Sequence, residues 1–128
     1  MSEYGFSKTI DRPFYEVKTA ATKALKEEGF GVLSEIDVQA KLKEKLNVDY
    51  PSYVILGACN PPFAKKVLDI DPDMGLLLPC NVIVYEKDAQ SVVSIIIPTR
   101  AMNMVNNYQI QAIAGEIEQK LKRVFNNI

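Results

Sequence analysis

The spacing of apolar residues alternates between two periods along this chain. From Tyr4 to Ile10, Tyr4, Phe6, Lys8 and Ile10 fall on one side and Gly5, Ser7 and Thr9 on the other, the period of a half-buried strand. Phe14, Val17, Ala21, Ala24, Leu25 and Glu28 then recur at steps of three and four, which predicts a helix with Asp11 as its cap, Pro13 in its entry and Gly29 at its end. Phe30 to Asp37 returns to alternation, and Val38, Leu42 and Leu46 share one face of a short amphipathic helix over 38–46. The continuous run Val54-Ile55-Leu56 within 53–58 predicts a central strand, followed by a helix from Pro61 to about Asp69 with Asn60 as N-cap and Phe63, Val67 and Leu68 facing inward. Segments 81–86 and 91–97 flank a polar turn and read as a hairpin. A long stripe of Ile110, Ile113, Ala114, Ile117, Leu121 and Val124 predicts a closing helix over 107–125.

Two long one-sided helices and about five strands define a two-layer α+β domain, a mostly antiparallel sheet with both long helices on one face and two short helices inserted. The length of 128 residues fits a single domain, 1–128. Val54-Ile55-Leu56 and Ile95-Ile96-Ile97 are apolar on both sides, more than one helical layer can bury, so a homodimer is expected to cover the other face.

Charge narrows the partners. Lys plus Arg (15) nearly balance Asp plus Glu (16), so no net field favours nucleic acid or anionic lipid. Lys41, Lys43 and Lys45, interleaved with Glu44, read as a solvated helix face. The Met1-Ser2-Glu3-Tyr4 start lacks a basic and apolar leader and no apolar run is long enough to span a bilayer, so a cytoplasmic protein with no membrane partner is expected. Histidine is absent, which removes Ser-His-Asp and Cys-His pairs and His-containing zinc sites.

The candidate chemistry lies in the two cysteines, each followed by Asn and flanked by Pro: Cys59-Asn60-Pro61 and Pro79-Cys80-Asn81. Cys59 closes the third predicted strand and Cys80 opens the fourth, so antiparallel pairing would bring them to one end of the sheet. A disulfide closing a loop of about 20 residues, a reactive thiol pair, a soft-metal pair and plain packing of buried thiols all fit. The Cys-x20-Cys spacing is not a zinc signature, so neither a metal nor a cofactor is expected. A thiol just before a helix start lies near N–H groups that favour thiolate, which singles out Cys59. Asn60 and Asn81 have local roles as cap and turn residues. Glu35 and Asp37 are two apart on a strand and share a face, with Cβ atoms roughly 7 Å apart, compatible with an acid and base pair. Against that, Asp37 caps the helix at Val38 and Glu35 is solvated or paired with a lysine. Gly57-Ala58-Cys59-Asn60-Pro61-Pro62 lacks the glycines of a phosphate cradle.

Three separated stretches, Gly29 to Val38, Leu56 to Pro61 and Gly75 to Val82, resemble the family known as domain of unknown function 302. The resemblance implies a strand, helix, four strands, helix order in the TATA-binding-protein-like fold group, and homodimers. One departure is visible, since Ile97-Pro98-Thr99 stands where that family commonly carries Asp-Pro. The reading that follows is a homodimeric small-ligand-binding domain in which Cys59, Asn60, Pro79, Cys80 and Asn81 line a pocket with Glu35 and Asp37 nearby. Its ligand would be small and sulfur-containing or thiol-reactive. The alternatives are a thiol-dependent enzyme using Cys59 as nucleophile with Cys80 as resolving partner, and a dimeric scaffold with structural cysteines.

Overall fold

The computed structural model describes residues 3–128, so Met1 and Ser2, on which the reading of the chain start rests, lie outside the described residues. The strands are β1 (Gly5–Ile10), β2 (Gly31–Asp37), β3 (Tyr53–Cys59), β4 (Cys80–Lys87) and β5 (Gln90–Ile96). The helices are α1 (Phe14–Glu27), α2 (Val38–Leu46), α3 (Pro61–Ile70), α4 (Pro98–Ala101) and α5 (Tyr108–Asn126), with a 3-10 turn over Pro72–Leu77. The strands form one sheet in the order β1-β5-β4-β3-β2. Every neighbouring pair is antiparallel.

Strand alternation sorts the sheet into two faces. On one, the register aligns Lys8, Val93, Val84, Val54 and Asp37 in a row, and Phe6, Ile95, Val82, Leu56 and Glu35 in the next. The central members of both rows are buried against Val17, Ala21, Ala24 and Leu25 of α1 and Ile117, Leu121 and Val124 of α5. Lys8 reaches out of this apolar layer to the C-terminal turn of α5, donating from Nζ to the Phe125 carbonyl at 2.6 Å. There it meets the negative end of the helix dipole.

The opposite face carries the row Ser7, Ser94, Ile83, Ile55 and Ile36. It is partly open, with Ile55 and Ile83 half-buried and Ile36 exposed. A second, smaller core of Val67, Met74, Met102, Ile110 and Ala114 joins α3, the 3-10 turn and the start of α5.

Local chemistry explains most element ends. Helix α1 closes in a Schellman motif: Phe30 N–H donates to Leu25 O at 2.9 Å, Gly29 N–H donates to Lys26 O at 3.1 Å, and Gly29 sits at φ +85°. The β4–β5 hairpin turns through Asp88 and Ala89, both left-handed at φ 52° and 63°, the geometry of a type I′ turn without glycine. Two expected caps, at α1 and α3, need correction, and two helices carry features that the apolar period does not show. Pro13, not Asp11, stands at the N-cap of α1, with no side-chain cap. Helix α2 buries none of its apolar residues, and Leu46 is 65% exposed, because α2 lies outside both cores. Helix α4, a four-residue turn, is too short to show a period in the sequence. Asn60 stands at the N-cap of α3 without a side-chain cap bond.

Candidate functional site

The antiparallel β3–β4 pairing sets Ala58 opposite Cys80, which brings both Cys-Asn segments to one end of the sheet. Off that end lies a cavity of about 360 Å³ between the strand ends, α3 and the 3-10 turn. Phe30 and Ile117 reach it from the main core, Val67 and Leu78 from the side of the smaller one, so it occupies the junction of the two cores. Phe63, Ala64 and Leu68 of α3 complete the apolar wall. The lining contains no Asp, Glu, Lys or Arg; its polar side chains are Ser34, Asn60 and the two thiols.

Cys59, Asn60, Pro79 and Cys80 line this one cavity. Cys80 follows the alternation of β4 onto the helix-covered face and is buried, whereas Cys59, the last residue of β3, is half-buried; both are free thiols. Burial, and then the neighbouring Cys59, push the Cys80 thiol from 9.0 up to about 11, so at neutral pH it keeps its proton. The start of α3 offers few free donors, because Pro61 and Pro62 have no N–H and Ala64 N–H already bonds Asn60 O at 2.9 Å. Asn60 turns its amide away from the helix and donates from Nδ2 to the Glu28 carbonyl at 3.4 Å, joining the end of α1 to the start of α3. Pro79 folds onto the open face of the sheet over Gly57, where a Cβ would stand 2.9 Å from Pro79 Cγ. Gly57 thus lets the segment before β4 approach the strand backbone closely.

The remaining candidates are elsewhere. Asn81 is exposed one residue beyond Cys80, and strand alternation turns it to the opposite face beside Gly57 and Ile96. It lines an adjoining hollow with Ile96, Pro98 and Met102, which shares Leu78, Pro79 and Cys80 with the first. Glu35 and Asp37 share the helix-covered face at the β2 edge, along a hollow with Phe14, Tyr15 and Lys18. Glu35 is in ion pairing with Lys18, and Asp37 accepts from Ala40 N–H at 2.9 Å as the N-cap of α2. No three His, Cys, Asp or Glu side chains converge among the described residues. No helix among them is long and apolar enough to cross a membrane.

Several lining residues carried no functional signal in the sequence. Phe30, Phe63, Leu68 and Ile117 are indistinguishable there from ordinary core positions. Leu33 reaches the cavity because the β2–β3 register slips between Val32 and Ser34, a bulge that leaves Leu33 71% exposed. No glycine or proline marks the bulge.

These features define a two-layer α+β domain with an uncharged cavity at one end of a five-stranded antiparallel sheet. The chain belongs to the family described as Domain of unknown function DUF302, whose model matches residues 6–128. The crystal structure of an uncharacterized conserved DUF302 protein from Bacillus stearothermophilus superposes with a TM-score of 0.90 at 31% identity, covering 98% of each chain. An uncharacterized protein of Aquifex aeolicus (strain VF5) is 30% identical over 80 residues, which span 62% of this chain and 49% of that protein. The match thus spans about half the length of the Aquifex relative.

Proposed function

We propose that the protein is a homodimeric small-ligand-binding domain and that the cavity at the β3–β4 end takes a small, mostly apolar, uncharged molecule. The observation that carries this reading is a preformed hollow of about 360 Å³ walled by carbon, with a few polar groups and no charged side chain. Its size is at the low end for small-molecule sites, and its composition is the usual one for them. The second subunit would lie on the open face, where Ile36, Ile55 and Ile83 share a row with no covering layer of their own.

The test is an NMR screen of small neutral aromatic and aliphatic compounds against the whole chain and against Ala64→Phe. A phenylalanine at this lining position fills the cavity from α3. Compounds are expected to shift resonances of Phe30, Phe63 and Leu78 in the unaltered protein, and to lose at least tenfold in affinity in the folded Ala64→Phe variant. No binding, or equal binding by both proteins, overturns the reading.

One observation favours a thiol-dependent enzyme as a second reading: both cysteines line one cavity. Cys59 would then be the nucleophile and Cys80, protonated at neutral pH, its partner. Cys59→Ser separates the two, since it abolishes turnover in an enzyme but leaves ligand affinity within a few-fold in a binding domain.

A further inference from the structure

Asn60 stands in the cavity wall without its ordinary local role. It occupies the N-cap position of α3, where an Asn side chain ordinarily accepts a backbone hydrogen bond, yet it caps nothing. Its amide orientation is fixed from the other side: only the Nδ2 end can face the Glu28 carbonyl, to which it donates at 3.4 Å. A Cβ placed on Gly29 would stand 3.2 Å from that same Nδ2, so the bare glycine leaves the amide its place.

The acceptor end is left over. Asn60 is only 9% exposed, and Oδ1 accepts no hydrogen bond from any described residue. No fully sealed side-chain oxygen or nitrogen lacks a partner among the described residues, so Oδ1 keeps an open approach. Asn60 lines the cavity, so the cavity is the space in which a ligand would meet that acceptor. A strong acceptor beside carbon walls rewards a ligand that brings a donor and penalises one that leaves it dry. An ionised ligand would lose its hydration there with no counter-charge, because no Asp, Glu, Lys or Arg lines the space.

We infer that the cavity selects neutral ligands bearing an N–H or O–H group, with Asn60 Oδ1 accepting that proton donor and the walls of α3 and the strand ends holding an apolar body. This rests on the reading of the cavity as a ligand site and adds the chemical class of the ligand. Ser34 also lines the cavity, but its hydroxyl both donates and accepts, so it does not discriminate.

The test compares indole with indene and benzofuran, which match its size without the N–H, and with indole-5-carboxylate, all titrated into the whole chain by NMR. Indole is expected to bind about tenfold more tightly than indene or benzofuran, the worth of one net hydrogen bond. The carboxylate should bind at least that much more weakly, and the Asn60 side-chain amide protons should move further downfield with indole than the ring-current shift that indene or benzofuran causes. In Asn60→Ala the preference for indole over indene should fall to about one. If that variant does not fold, the preference in the unaltered protein and the Asn60 resonances decide. Equal affinity for the three neutral probes, a preference that survives Asn60→Ala, or tight carboxylate binding overturns the donor rule while leaving an apolar ligand site. Binding of none of the probes overturns the ligand site as well.

Discussion

Cys80 and Asn81 are neighbours in sequence with opposite fates. The first is 7% exposed on the helix side of β4, and the second is exposed on the other side. Period-two alternation accounts for this, so the repeated Cys-Asn pair marks one cavity residue in β4 and not two. Where β3 ends and the chain turns into α3, Cys59 and Asn60 both line the cavity. The buried Cys80 thiol has a measurable consequence. An unfolded chain loses that proton near pH 9.0 while the native chain holds it to about 11, so the native state binds the extra proton between these values. Stability should therefore be indifferent to this group below pH 9 and fall as pH rises through the window. Urea unfolding at pH 8 and pH 10.5 should show the unaltered protein losing about 2 kcal/mol more than Cys80→Ala over that interval. An equal loss in both would mean that Cys80 titrates as an ordinary thiol.

At the scale of elements, the two long helices follow directly from their stripes. The closing helix is displaced by one residue from its expected span, and its buried positions Ile110, Ala114, Ile117, Leu121 and Val124 all belong to the expected stripe. The displacement arises because Asn107 is the cap rather than the first helical residue, its Oδ1 accepting from Gln109 N–H at 2.9 Å and Ile110 N–H at 3.1 Å. Asn107→Ala should cost about 1 kcal/mol of stability in chemical denaturation, and Asn107→Asp should cost less. Asn107 and Asn60 contrast usefully, since the same residue type at the same position caps one helix and leaves the other uncapped. The difference comes from the Glu28 carbonyl that draws the Asn60 amide across from α1, a partner 32 residues away that no local pattern reveals.

At the scale of the whole molecule, one sheet face is closed by α1 and α5 and the other is not. Under the proposed dimer, the row of Ile36, Ile55 and Ile83 is the centre of the interface. Ile83→Asp, on the open face of a central strand, should shift the protein from dimer to monomer in size-exclusion chromatography with light scattering, with the sheet still folded by circular dichroism. A monomer before any substitution, or a dimer untouched by Ile83→Asp, would remove that face as the interface.

The hydrophobic period, read alone, determined the number of strands, both long helices, the hairpin and the two-layer class, because burial of one face leaves a repeat that each element carries within itself. Strand order also brought Cys59, Asn60, Pro79, Cys80 and Asn81 forward as one group at a common end of the sheet, and of these Asn81 does not line the cavity. Tertiary structure alone decided the cavity. Its walls come from β2, β3, α3, the turn before β4 and α5, and no periodicity links residues as distant as Phe30, Phe63, Leu78 and Ile117. It also decided which lysine pairs with Glu35, Lys18 of α1, whereas the capping of α2 by Asp37 is a local contact already legible in the sequence. A partner across the fold is set by packing geometry, which depends on the whole chain at once, whereas a period depends only on the few residues that repeat it.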